Sequence, residues 1–172
     1  MSHTFSQNYL HVVFSTKERR KLIAPPMQPK LWAYMAGIAR NHDFMVLANG
    51  GIEDHVHLLI QLPPVLSLAK AVSLLKSNSS SWMSEHGMNF AWQEGYGAFS
   101  VSASNMATVK RYTANQERHH RRRTFEDEIY RVVEKTRHPI RSQICFRLMC
   151  RPPPPRHAKS ARVGAPRGST FV

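Results

Sequence analysis

The sequence predicts an α+β domain: an antiparallel sheet with helices on one face and one further helix after the last strand. Three observations predict it. Short runs rich in β-branched and aromatic residues alternate with longer stretches of helical periodicity. Clusters of Pro, Gly and Asn punctuate the boundaries between them. The run His55-Val56-His57 opens the aliphatic stretch Leu58-Leu59-Ile60, so polar groups stand at one end of a strand whose remainder feeds a core.

Residues 9–15 (YLHVVFS) form a first strand that runs into the basic cluster Lys17, Arg19, Arg20 and Lys21. Residues 25–41 form a helix: prolines suit its start, and Leu31, Met35, Ile38 and Ala39 make a helical stripe. Residues 44–48 form a second strand, Asn49-Gly50-Gly51 a turn, and residues 52–62 the strand that bears the histidines, giving a hairpin. Pro63-Pro64 ends it. Ser67 caps a second helix with Leu68, Ala71, Val72 and Leu75 on one face, continuing through the serine cluster toward Trp82. Residues 96–102 (YGAFSVS) form the last strand, and residues 105–121 a third helix capped by Ser104 or Asn105. The order is β-α-β-β-α-β-α, and its first six elements follow the split βαβ arrangement of a ferredoxin-like fold. The sheet face without helices is then open to a metal and to nucleic acid.

The 172 residues are enough for one domain with a tail, and a 42% hydrophobic content supports a core. No apolar run approaches the roughly 18 residues of a membrane span. The N-terminus lacks the basic and apolar regions of a secretory signal. Only Cys145 and Cys150 occur, with no disulfide framework, as expected in a reducing cytoplasm. The net charge of +13 points to a polyanion, most simply nucleic acid. Residues 138–172 hold seven of the 24 Lys and Arg and no acid, which leaves 17 basic against 11 acidic residues, or +6, in 1–137. The last 35 residues, with Arg151-Pro152-Pro153-Pro154-Pro155-Arg156, read as mostly disordered.

In an extended strand the imidazoles of His55 and His57 share a face about 6.5–7 Å apart, a spacing that suits two-point ligation of one divalent ion. An isolated His-x-His also reads as two histidines hydrogen-bonded at a sheet surface. A third ligand is needed, and the last helix offers one. Tyr112 and Gln116 are four apart and share a helix face. Gln116 supplies a neutral oxygen, and Tyr112 then stands beside the ion, where a phenol can attack a phosphorus whose oxygens the ion polarises. Alone, this spacing reads better as an inner stripe of Met106, Val109, Thr113 and Gln116; the histidine pair turns it toward chemistry. Lys110, Arg111, Arg118, His119, His120 and Arg121 to Arg123 on the same helix could hold a phosphate backbone.

These residues carry a resemblance. HVVFSTKERR (11–20), DHVHLLIQLPP (54–64), Leu75-Lys76-Ser77, WQEGYGAFSVS (92–102) and VKRYTANQERHH (109–120), in this order, resemble the single-tyrosine HUH transposases, and more closely their REP-associated branch. The resemblance runs from about Tyr9 to Glu128. It implies His55, His57 and Gln116 as ligands of Mg2+ or Mn2+, and Tyr112 as nucleophile. It implies cleavage of single-stranded DNA near a hairpin through a 5′-phosphotyrosine, with rejoining by the reverse attack. It implies a homodimer, in a bacterial cytoplasm and at the nucleoid in use. It gives Lys17, Arg19, Arg20, Lys76 and Ser77 a place near DNA, against the plainer reading of a solvated surface. Trp82 and Trp92 read as core or support residues, and Asp54 as facing away from the metal in an ideal strand.

The chain departs from the family after Glu128, so residues 1–128 are assigned to the catalytic domain and 129–172 to an atypical basic Pro- and Arg-rich tail. The change reads as a frame shift or a degenerate copy, which the neighbouring frame of the encoding DNA would test. Tyr130, followed by Glu134, mimics the spacing of nucleophile and ligand; the cap and matching context favour Tyr112. Two other functions compete: a decayed or domesticated protein that holds DNA hairpins without cutting, and an RNA-binding sheet, for which the glycine- and aromatic-rich signature is missing.

Overall fold

The computed structural model describes residues 5–116. Four strands, β1 (Tyr9–Ser15), β2 (Met45–Ile52), β3 (His55–Gln61) and β4 (Gly97–Ser100), form one sheet in the order β2-β3-β1-β4. Every pairing is antiparallel. Helices α1 (Gln28–Asn41) and α2 (Leu68–Glu85) make the two crossovers, and α3 (Met106–Ala114) follows the last strand. This is the ferredoxin-like α+β arrangement expected from the sequence.

Alternation along the central strands builds two different faces. Val12 and Phe14 of β1, with Val56, Leu58 and Ile60 of β3, point to α1 and α2. They meet Leu31, Met35, Ile38 and Ala39 from α1 and Ala71, Val72, Leu75 and Met83 from α2, the two stripes read from the sequence. Ser67 caps α2 as expected, its hydroxyl accepting from the Lys70 amide at 3.3 Å. The prolines at 25 and 26 make a separate 3-10 turn, so α1 begins three residues later than the sequence suggests, with Pro29 in its first turn. The helix ends where Asp43 takes a left-handed conformation, φ 58°.

The opposite face carries His11, Val13 and Ser15, paired with Leu59, His57 and His55 respectively. The order of elements suggests an open face, but α3 packs over β2 and β3 there. That packing explains a correction to the hairpin. Asn49-Gly50-Gly51 is not a turn; all three residues lie inside β2, and the chain reverses at Glu53 and Asp54. Gly50 is needed for close approach rather than for a turn. A Cβ there would stand 1.9 Å from the backbone oxygen of Thr113 in α3. One at Gly51 would stand 2.2 Å from the oxygen of His55. A one-residue bulge between Val46 and Ala48 keeps the longer β2 in register with β3.

Trp92 and Trp82 support the fold, as the sequence suggests. Trp92 packs edge-on against Phe14 and Phe90 and donates its indole N–H to Ser79, while Trp82 stacks on Tyr34 at 4.9 Å. The third helix, expected over 105–121, ends at Ala114 with Asn115 off helical geometry, so Gln116 lies just past it; residues 117–121, the rival Tyr130 and the 128/129 boundary lie outside the described residues.

Candidate metal and nucleophile site

Placing histidines at alternate positions of β3 puts both rings on the face that α3 covers. Both are fully buried, at 0% exposure. Their centroids are 5.0 Å apart and the rings lie at 75°, closer than the strand repeat because they lean toward each other. Each is held at Nδ1 by a different partner. His55 Nδ1 lies 2.6 Å from Asp54 Oδ1, and Asp54 Oδ2 accepts from the Arg19 guanidinium at 3.0 Å. His57 Nδ1 lies 3.1 Å from Nε2 of His11, and those two rings stack at 5.2 Å. With protons assigned to both Nδ1 atoms, Nε2 is the atom each imidazole offers to a cation.

The electrostatics favour neutral His11 and His55, the state that ligation requires of His55. Burial pushes His11 down to about 4. Burial also lowers His55, against the pull of the Asp54 carboxylate. For Asp54 itself, burial acts upward, but its hydrogen bond to His55 and the positive charges of His55 and Arg19 outweigh that and hold it below the usual carboxylate range.

The last turn of the described chain completes the cluster. The half-buried Tyr112 ring stands edge-on to His11 and to His57, 5.8 Å from each centroid. Gln116 is 1% exposed, and its Oε1 has no hydrogen-bond partner among the described residues. The Gln116 Cγ lies 3.7 Å from where a Cβ on Gly50 would be, and Gly50 is the cross-strand neighbour of His57. A buried amide oxygen lacking a partner costs free energy unless something positive meets it. This donor set therefore fits a divalent cation: two imidazole nitrogens and a neutral oxygen. Among the described residues, no group of three His, Cys, Asp or Glu side chains could hold a metal, so the amide oxygen is the neutral donor that stands nearest this pair.

The expected DNA contacts divide into two groups. Lys17, Arg20, Lys110 and Arg111 are exposed. Arg19 is turned inward to Asp54. Lys76 reaches across the Phe14 ring to the carbonyls of Gln93 and Gly95, on the side of the sheet away from the histidines. Ser77, on the same helix, gives its hydroxyl to the Ser73 carbonyl at 2.8 Å.

Two residues of the cluster escape a reading of the sequence. His11 looks like one more position of a strand whose neighbours are apolar or small. Asp54 faces away from the histidines only if it belongs to their strand; it lies in the hairpin turn, where it swings onto His55.

Comparison with known proteins settles the family. The family model described as "Transposase IS200 like" matches residues 4–116. The chain belongs to the IS200-like transposase family. Family members are DNA-cleaving enzymes of DNA transposition. Two relatives, the transposases for insertion sequence element IS200 of Salmonella typhimurium and Salmonella typhi, are each 24% identical over 124 residues, 67% of this chain and 81% of theirs. Among solved structures, a candidate transposase of Deinococcus radiodurans R1 is similar at TM-score 0.55 and 22% identity, covering 67% of this chain and 95% of that one. A REP-associated tyrosine transposase bound to a REP hairpin is similar at TM-score 0.53 and 14% identity, over 81% and 87%. Both share the fold of this family member. Among the described residues, no helix is long and apolar enough to cross a membrane.

Proposed function

We propose that this transposase cleaves and rejoins single-stranded DNA beside a hairpin, with Tyr112 as nucleophile and with His55, His57 and Gln116 as ligands of a Mg2+ or Mn2+ ion. One observation carries the reading. The Tyr112 ring stands edge-on 5.8 Å from the His57 ring of the same chain, and the buried Gln116 side chain lies beside Gly50, the cross-strand neighbour of His57. The REP hairpin held by the REP-associated neighbour supports a folded single strand as substrate.

The bound cation would draw charge from the non-bridging oxygens of the scissile phosphate. The protein does the rest. Asp54 and His11 hold the two imidazoles so that they present Nε2. Burial disfavours protonation of His55 and of the supporting His11. The Tyr112 hydroxyl gives up its proton as its oxygen forms a bond to phosphorus, the bond to the departing 3′ oxygen breaks, and that oxygen takes up a proton, so none is gained or lost overall. The 5′ phosphate then stays on Tyr112, and a free 3′-OH remains. Attack by a 3′-OH reverses the step, so one phosphodiester replaces another and no external energy source is required. Lys17, Arg20, Lys110 and Arg111, all exposed, would neutralise the DNA backbone. A homodimer belongs to the same proposal; light scattering on the full chain showing only monomer would count against it.

Labelled hairpin-bearing single strands from the flanks of the encoding DNA, incubated with the protein and Mn2+, are the test. A covalent adduct that vanishes with chelator and in Tyr112→Phe is expected. An adduct that survives Tyr112→Phe and is lost in Tyr130→Phe would overturn the assignment. Hairpin binding with no adduct under any condition would leave a protein that binds without cutting.

A further inference from the structure

Lys76 lies on the far side of the sheet from the histidines, yet a continuous set of contacts joins it to one of them. Its ammonium donates to the carbonyl oxygens of Gln93, at 2.9 Å, and Gly95. That grip fixes the loop after Trp92. The loop is tied to the end of β1, because the Gln93 amide donates to the Ser15 oxygen at 2.9 Å and the Lys17 amide to the Ala91 oxygen at 2.8 Å. From there the Gln93 side chain accepts the Glu18 backbone N–H at 3.0 Å.

The Glu18 backbone that donates this hydrogen bond has an unusual conformation. Glu18 and Arg19 are successive residues in the left-handed region, φ 57° and 53°, and neither is glycine. Such backbone persists only where the surroundings over-determine it, and it clusters at functional sites. Here the surroundings are Gln93 on one side and Thr16 on the other. The Thr16 hydroxyl lies 2.5 Å from the Arg20 oxygen and 3.1 Å from the Asp54 oxygen. The product of this knuckle is the direction of one side chain. It turns Arg19 back onto Asp54, and Asp54 in turn holds His55 Nδ1.

We infer that Lys76 and Gln93 are positioning residues for the metal ligand His55, acting through the 17–19 knuckle, Arg19 and Asp54. This rests on the proposed reading of His55 as a ligand. It assigns Lys76 and Arg19 an inward task, in place of the contact with DNA that their charge suggests. Outer partners of metal ligands typically contribute about 10–100-fold in metal affinity. Loosening the far end of the relay should therefore weaken the metal without touching the DNA surface.

The experiment uses the full chain and two separate readouts: Mn2+ affinity by calorimetry, and hairpin affinity measured in chelator. Lys76→Met keeps the aliphatic stem over Phe14 and removes the donors. Gln93→Leu removes only the acceptor for the Glu18 N–H, and Gln93→Glu restores one. Both loss variants should bind Mn2+ about 10-fold more weakly, with chelator-state hairpin affinity within about twofold of wild type, and Gln93→Glu should recover most of the metal affinity. Unchanged Mn2+ affinity in folded variants overturns the inference. So does lost hairpin affinity with intact metal binding, which would give Lys76 a direct DNA contact. Should Lys76→Met fail to fold, the Gln93 pair decides alone. Wild-type protein that binds no Mn2+ removes the proposed metal site itself, a failure read before any variant is made.

Discussion

The two histidines of β3 are set by unlike neighbours, and the difference has consequences. A carboxylate in contact with Arg19 raises the basicity of His55 as a ligand, whereas a neutral ring orients His57 and adds no charge. His11 can be removed without disturbing the core on the other face, because its own face holds Val13, Ser15 and the α3 residues. His11→Phe keeps a buried ring and deletes the partner of His57 Nδ1. We expect Mn2+ affinity to fall about 10-fold by calorimetry. The same variant has an acid signature. His11 is buried with its pKa down from 6.5 to about 4, so between those values the unfolded chain binds the proton and the folded one does not. Stability is then greatest above about 6.5 and is lost as pH falls toward 4, by on the order of 3 kcal/mol for this one group. Denaturant titrations in chelator should show wild type losing more between these pH values than His11→Phe; equal losses would show that His11 is not the group. The residues proposed to carry chemistry are legible as spacings, two apart on a strand and four apart at the third helix. His11 is not, because both faces of β1 and β3 are buried, so alternation of polarity does not reveal which side chains share the histidine face.

At the scale of elements, the helices are legible from their stripes and α2 also from its Ser67 cap, whereas the cap read at Ser104 or Asn105 makes no side-chain hydrogen bond to α3, and the hairpin is misplaced by the signal that usually finds one. Asn-Gly-Gly reads as a turn because glycine relieves backbone constraint there. In this chain Gly50 instead lets α3 lie directly on the sheet, and no local pattern announces a contact with Thr113 more than sixty residues away. The helix depends on that contact. Its described nine residues bury only Thr113, too little for a helix of this length to stand alone in water. Gly50→Ala would place its Cβ against backbone, not against a side chain that could swing aside. The helix must move outward by an ångström or more, taking Tyr112 and Gln116 with it. A displacement of that size at a reacting group costs about 100-fold in rate. We expect adduct formation on hairpin DNA to drop by at least that factor, while the transition midpoint changes little, since the α1–α2 core is remote from the site. Full activity in Gly50→Ala would mean that α3 is not held where Tyr112 needs it.

For the whole molecule, charge is divided between a body and an extension, and the two should separate in their dependence on salt. Residues 1–137 carry a net +6, with Lys17, Arg20, Lys110 and Arg111 exposed within the described part; residues 138–172 add seven cations and no acids. The family match ends at residue 116, so the chemistry and the fold can both be sought in the first two thirds of the chain. A protein shortened to residues 1–128 should keep its unfolding midpoint and its tyrosine adduct. It should bind DNA with a shallower salt dependence. Each phosphate contact to a single strand contributes about 0.7 to the slope of log affinity against log salt. Residues 129–172 hold ten Lys and Arg, the seven beyond 137 plus Arg131, Lys135 and Arg137, so their loss can flatten the slope by up to about 7 if all of them touch DNA. Affinity for unrelated strands should fall along with it, whereas the preference for the hairpin, which shape and the α3 face would supply, should rise. If the shortened chain unfolds or loses the adduct, residues 129–172 are part of the catalytic body, and the division of the chain after Glu128 is wrong.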